Sequence, residues 1–377
     1  MIERELLLGD EAIALGAIHA GISGVYAYPG TPSTEITEYI QGHAQEVRSR
    51  WCTNEKTAME AALGMSYAGK RALVCMKHVG MNVAADAFVN SAITGVNGGL
   101  VVLAADDPSM HSSQNEQDSR FYGKFAMIPI LEPSTQQEAY DMMKYAYALS
   151  EEKKLPVLLR VVTRLAHSRA GVVVNDLMPQ NALNPDKERT WVLLPAIARR
   201  QYASLVAKQP DLVESSEHSP YNGMNAFEGK AKLGVIACGI GYNYVMENDP
   251  QSLGIPVLKV SQYPLPEASI KALAAQCESL LVAEDGQPLV EEQVKAILGA
   301  DYALKGRLTG DLPRMGELTP DSVGAALGVN LEQPYTEAQN VMPRPPALCQ
   351  GCGHRDVYDA LNKVAAEYEN ARIFGDI

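Results

Sequence analysis

The run Val25-Tyr26-Ala27-Tyr28-Pro29-Gly30-Thr31-Pro32-Ser33-Thr34-Glu35 passes from a short β-rich segment through a turn into a helix start. Residues 25–28 read as a strand. Thr31 suits a helix N-cap and Pro32 the first helical position. Glu35 falls in the first turn, where a carboxylate meets the positive end of the helix dipole. The alternation continues outward. Further strands are read at 47–52, 72–76, 100–104 and 157–162, with helix-period segments such as 34–47 and 57–68 between them. Continuous apolar strands alternating with helices predict an α/β fold built on a parallel sheet covered on both faces.

Beyond this first domain, residues 1–170, the pattern breaks. Residues 171–230 hold Pro179, Pro185 and polar, turn-rich runs, and read as a linker with one helix near 196–208. A second α/β domain spans 231–335, with strands at 233–238, 256–260 and 279–283 and a helix at 289–298. Gly239-Ile240-Gly241 lacks the third glycine of a dinucleotide fingerprint and reads as a tight strand-to-helix turn. From 304 to 346 the chain is loop-like. Residues 336–377 hold Pro345-Pro346, the run Leu348-Cys349-Gln350-Gly351-Cys352-Gly353-His354-Arg355, a helix near 357–368 and a strand start at 372–374. One loop, one helix and one strand bury no core of their own, so this segment is expected to be the opening of a third domain.

Composition narrows the function. Of the 377 residues, 46% are hydrophobic and 20% charged, which is ordinary for a globular protein. The balance of 32 Lys and Arg against 45 Asp and Glu leaves −13, and an acidic chain without a basic run is a poor nucleic-acid binder. No apolar run approaches the roughly 20 residues that span a bilayer, and the first residues lack a basic signal-peptide region. Six scattered cysteines do not make a secreted disulfide framework. A cytoplasmic protein acting on small molecules is expected, with neither nucleic acid nor membrane as partner.

Ligands of an open parallel sheet bind at the carboxyl ends of its strands. Four loops are expected there: 29–33, 53–55, 77–82 and 105–119. Glu55 stands just inside a helix start after Thr53-Asn54. It is either a functional carboxylate or one that merely complements the helix dipole, and Glu60 is its rival. Lys77 and His78 leave a buried strand together as a cation and an imidazole. The run His111-Ser112-Ser113-Gln114-Asn115-Glu116-Gln117-Asp118-Ser119-Arg120 has no aliphatic side chain and is either a binding segment or a solvated loop. Cys349 and Cys352 offer two thiolates, half of what a metal or cluster needs; the other cysteines, at 52, 75, 238 and 277, read as small core residues.

In order along the chain, YPGTPSTE (28–35), NEK (54–56), MKHVGMNVAA (76–85), ADDP (105–108), HSSQNEQDSR (111–120) and LCQGCGHR (348–355) resemble the thiamine-diphosphate-dependent 2-oxoacid:ferredoxin oxidoreductases, and within them the large (alpha) subunits of the indolepyruvate type. The resemblance is dense over the first 170 residues and looser over 231–377. It implies a pyrimidine-binding domain, a transketolase C-terminal-like domain and the start of a diphosphate-binding domain. It assigns Glu55, followed by Gly64 at the family's nine-residue spacing, to N1′ of the aminopyrimidine, and places Gly30 and Gly64 with the cofactor. It implies that Thr31, Lys77, His78, His111, Gln114 and Asn115 face the substrate, and that Cys349 and Cys352 ligate a 4Fe-4S cluster. The implied reaction is the oxidative decarboxylation of an aryl 2-oxo acid, indole-3-pyruvate in type, to an acyl-CoA with electrons passed to ferredoxin. Thiamine diphosphate, Mg2+ and coenzyme A are implied with it, as are a smaller beta- or gamma-type partner subunit and a homo- or hetero-oligomer. Two alternatives remain open: a degenerate, non-catalytic subunit, and an enzyme for another 2-oxo acid such as pyruvate or 2-oxoglutarate.

The sequence also departs from the family. The GDG motif and its following Asn, which hold magnesium, are absent, as is a cysteine-rich ferredoxin-like segment. Gln350 and Gly353 stand where prolines are usual. Half a cofactor site is therefore expected in these residues, with no turnover and no intact cluster without residues beyond 377.

Overall fold

The structure is a computed structural model that describes residues 4–185, 191–330, 340, 342, 347, 348 and 350–374. The chain divides into two compact units, 1–330 and 331–377.

The first unit is a mixed α/β body with two largely parallel sheets. Seven strands lie in the order Gln262–Tyr263, Ile130–Leu131, Val157–Val162, Leu100–Asp106, Ala72–Lys77, Gly24–Ala27 and Arg48–Trp51. All neighbours run parallel except the first pair. The central strand Leu100–Asp106 is buried throughout. Its side chains alternate between two cores. Val101, Leu103 and Ala105 pack under the helices Gly9–His19 and Gln136–Lys153, while Val102 and Ala104 pack under Glu55–Tyr67 and His78–Thr94. A strand apolar on both faces needs such double cover, and each buried Val or Leu contributes roughly 1.5–3 kcal/mol.

The second sheet orders Ala303–Lys305, Cys277–Ala283, Ala231–Cys238, Val257–Val260 and Gly223–Met224, with only the last strand antiparallel. The strand pair Glu5–Leu8 and Arg169–Val172 forms a small antiparallel ladder.

The carboxyl ends of the two sheets meet in a buried network of charges. Arg160 Nε donates to Asp106 at 2.7 Å, and its guanidinium also pairs with Glu132. Arg120 pairs with Asp118 at 2.5 Å and with Glu284, just past the strand Cys277–Ala283, at 2.9 Å. The Tyr263 hydroxyl donates to Glu132 at 2.6 Å. Gly286, with φ of 121°, admits the approach: a Cβ there would stand 2.6 Å from Asp118 Oδ2 and 2.7 Å from Arg160 Nη2. Burial raises the Asp118 carboxyl, but Arg120 and Arg160 outweigh it and hold the group at about 2. At Glu284 burial wins over Arg120 and pushes the carboxyl up to about 7.

Several expectations are corrected. The stretch 171–230 carries two helices, Pro195–Ala207 and Gln209–Glu217, and the strand Gly223–Met224. The stretch after 304 is not all loop: Ala303–Lys305 pairs with Cys277–Ala283, and Thr319 caps the helix Pro320–Leu327. The helix expected over 34–47 ends at His43.

In the second unit the helix Gly353–Ala365 leaves Val357, Leu361 and Val364 exposed. Residues 372–374, expected as a strand, are irregular, since no strand pairs with them among the described residues.

Candidate active site

Glu55 is the first residue of the helix Glu55–Tyr67, entered from the strand Arg48–Trp51. The Asn54 side chain caps this helix, accepting from the Thr57 amide at 2.9 Å. Glu55 is only 8% exposed, and its carboxylate has no hydrogen-bond or ion-pair partner among the described residues. It lies flush against Gly80 of the neighbouring helix His78–Thr94, where a Cβ would fall 2.6 Å from Glu55 Oε1 and 2.7 Å from its Cγ.

That geometry corrects the third loop. Residues 77–82 are not a loop: Lys77 ends the strand Ala72–Lys77, and His78 opens a 17-residue helix. Gly80 reads in sequence as a turn residue, but its role is close approach, because any side chain there would displace the Glu55 carboxylate. Gly80 is the site residue that sequence reasoning missed. The signal for it was a glycine inside an otherwise helix-forming run that faces a buried glutamate.

His78 is buried, with Nε2 3.2 Å from the Asn115 carbonyl oxygen and Nδ1 without a hydrogen-bond partner. Lys77 Nζ donates to the Ser112 carbonyl oxygen at 2.9 Å, and its stem covers Gly30, whose Cβ would lie 3.1 Å from Lys77 Cδ. Thr31 is exposed beside Gly30. It is not the N-cap: the helix begins at Thr34, whose hydroxyl accepts from the Gly30 amide at 2.9 Å, and the cap position falls to Ser33.

The polar run 111–120 splits in two. His111, Ser112, Gln114 and Asn115 are exposed, and the backbone of 112–115 receives Lys77 and His78. Asp107 organises this half, accepting from the Ser112 amide at 2.8 Å, the Ser113 hydroxyl at 2.7 Å and the Thr163 hydroxyl at 2.8 Å. Burial raises the Asp107 carboxyl, but these hydrogen bonds outweigh it and leave the group below its ordinary value. His111 turns towards Glu317, 3.5 Å away. The other half, Asp118-Ser119-Arg120, is buried in the inter-sheet network.

Glu55, Gly30, Thr31, Lys77, His78, Gln114 and Asn115 thus come from adjoining strand ends on one edge of the sheet. Gly64 does not join them. It is exposed, nothing lies within 4 Å of an ideal Cβ there, and nine residues of helix carry it about 13 Å from Glu55. Cys349 lies outside the described residues. Cys352 has Sγ 3.4 Å from His354 Nδ1.

A largely buried glutamate with no protein partner among the described residues and a buried imidazole nitrogen without a partner fit a site that takes a polar heterocyclic or anionic ligand. The comparisons define its class. The chain belongs to the pyruvate flavodoxin/ferredoxin oxidoreductase family, whose thiamine diphosphate-binding pattern matches residues 15–210. It is 40% identical to indolepyruvate oxidoreductase subunit IorA of Archaeoglobus fulgidus, over 100% of this chain and 63% of that one. The same subunit of Pyrococcus abyssi is 41% identical over 96% of this chain and 60% of its own. The chain therefore spans less than two thirds of these relatives' length. A 2-oxoglutarate:ferredoxin oxidoreductase from Magnetococcus marinus shares the fold, with a TM-score of 0.68 at 16% identity over 85% of this chain and 64% of that chain. No helix among the described residues is long and apolar enough to cross a membrane.

Proposed function

We propose that residues 1–170 form the pyrimidine-binding part of a thiamine diphosphate site, and that the protein serves the oxidative decarboxylation of an aryl 2-oxo acid to an acyl-CoA. Indole-3-pyruvate is the model substrate, and ferredoxin takes the electrons. The observation that carries this reading is Glu55, buried, unpartnered and held flat against Gly80.

Bound thiamine diphosphate supplies a nucleophilic carbon and an electron sink for loss of carbon dioxide. Glu55 holds a proton at N1′ of the aminopyrimidine, and Gly80 leaves it room to do so. Lys77 presents a cation to the carboxylate of the 2-oxo acid, and His78, Thr31, Gln114, Asn115 and His111 offer hydrogen bonds around it. The Asp107 hydrogen bonds hold the segment that carries Gln114 and Asn115. Mg2+ and a 4Fe-4S cluster belong to the same reading; Cys349 and Cys352 are two of the four thiolates such a cluster uses. The diphosphate side of the site, coenzyme A and the smaller partner subunit complete an oligomeric assembly, and residues 1–377 alone are not expected to turn over.

Calorimetric titration with thiamine diphosphate and magnesium tests this. It compares these residues alone, the same residues within a polypeptide as long as the relatives, and that longer form with Glu55→Gln. Binding in the longer form, weakened by the substitution, supports the assignment; no binding in any form favours a non-catalytic subunit. In the assembled complex, kcat/KM is expected to be higher for indole-3-pyruvate than for pyruvate or 2-oxoglutarate. The reverse order would overturn the aryl preference.

A further inference from the structure

On the sheet face opposite Glu55, three polar side chains converge from separate segments. Asp10 is the second residue of the helix Gly9–His19. Glu35 lies in the first turn of Thr34–His43. His167 follows the short helix Thr163–Ala166, at the end of the strand Val157–Val162. His167 Nε2 stands 3.8 Å from Asp10 Oδ2 and 3.6 Å from Glu35 Oε1. One ligand atom from each residue lies within 4.8 Å of the others.

Asp10 is completely buried, and neither of its carboxylate oxygens has a hydrogen-bond partner; Glu35 Oε2 is buried and without a partner as well. A buried carboxylate with no hydrogen bond is costly unless a cation or a proton neutralises it. The start of its own helix gives Asp10 partial relief. The neighbouring Glu11 is otherwise engaged, accepting from the Leu8 amide at 2.8 Å and pairing with Arg169 at 3.3 Å.

We propose that Asp10, Glu35 and His167 form a binding site for a divalent transition metal, zinc in the first instance. Two carboxylates and one imidazole, with the fourth position open, are a recurring three-ligand set for such ions, and the imidazole favours them over magnesium or calcium. Around zinc, bonds of about 2.0–2.2 Å set ligand atoms about 3.4 Å apart, so the two gaps to His167 close by a few tenths of an ångström and the gap between Asp10 and Glu35, within 4.8 Å, by at most about 1.4 Å. The side chains of His167 and Glu35 are 34% and 38% exposed, which leaves a route for the ion and a water. The ion ties the start of the first helix to the helix entered from the turn 28–33 and to the turn after Val157–Val162, and so stiffens the turn that carries Gly30 and Thr31.

The test uses the full 377-residue chain, untagged, with Cys349→Ser and Cys352→Ser to remove the other thiolate pair. Zinc content is measured after dialysis against a weak chelator, and the thermal midpoint is measured with and without zinc. About one zinc per chain and a zinc-dependent rise in midpoint are expected. Asp10→Asn and His167→Gln should each weaken retention by about tenfold or more while the zinc-free midpoint is kept. A parent chain that retains no zinc, or variants that retain it equally well, would overturn the proposal. A variant that lost its zinc-free midpoint as well would be replaced by Glu35→Gln, read in the same way.

Discussion

The site edge around Glu55 and the inter-sheet network around Arg120 are built from the same kind of material, polar residues at the carboxyl ends of parallel strands. They end in opposite states. In the network, Asp118, Glu132 and Glu284 all pair with Arg120. At the site, His78 Nδ1 is buried without a partner, and Glu55, only 8% exposed, has no protein partner among the described residues. Satisfied buried charges hold a structure in one arrangement, whereas unsatisfied ones keep an interaction in reserve for a ligand.

Substitutions can break this contrast. Arg120→Ala leaves buried Glu284 without its ion pair and Asp118 and Glu132 with Arg160 alone, so the folded state should lose about 3–5 kcal/mol in urea unfolding. Gly80→Ala forces a Cβ onto the Glu55 carboxylate. It should lower stability by about 1–3 kcal/mol and also abolish thiamine diphosphate binding in the complete enzyme. Glu55→Gln should impair that binding with a stability change within about 0.5 kcal/mol, which is the signature of a group held for a ligand. If Glu55→Gln destabilised the chain as Arg120→Ala does, the contrast between the two regions would fail.

The network also predicts a pH dependence. Burial raises Glu284 to about 7 and its buried neighbour Asp285, which pairs with Arg307 at 3.2 Å, to about 6, whereas unfolded carboxyls titrate near about 4. Between those values the folded protein keeps protons that the unfolded chain has released. The contribution of this pair to stability should therefore decline as pH rises from about 4 to about 7 and level off above. Asp118, held at about 2, works the other way: its contribution is present above about pH 4 and is lost as pH falls towards 2. Urea midpoints measured at about pH 4.5 to about pH 8 should show the decline, and Glu284→Gln should flatten it. The smallest effect is expected at Gly64. Alanine there has open space around it and should stabilise the helix by about 0.5–1 kcal/mol in urea unfolding.

Much of the frame was legible from residue order. The strand at 157–162 and the helix at 289–298 appear with the boundaries expected, because unbroken apolar runs and a 3.6-residue period are local signals. The family was legible too, from motifs that lie at strand ends. The segments missed were those whose reasons are distant. The strand Gly223–Met224 exists because Val257–Val260 offers it an edge. The helix start at His78 was hidden by a glycine that answers to Glu55. The run 111–120 looked uniform, yet its first half meets Lys77 and His78 while Asp118 and Arg120 reach the second sheet.

By itself the sequence determined the alternation of strands and helices, the double-faced parallel sheet and the kinds of polar side chain that follow its strands, since hydrophobic period and side-chain type are properties of the chain alone. Only the tertiary structure decided which polar residues are satisfied. It paired Arg120 with Glu284 and set Glu55 on Gly80, because partners and close approaches arise between segments far apart in sequence, where no local pattern records them.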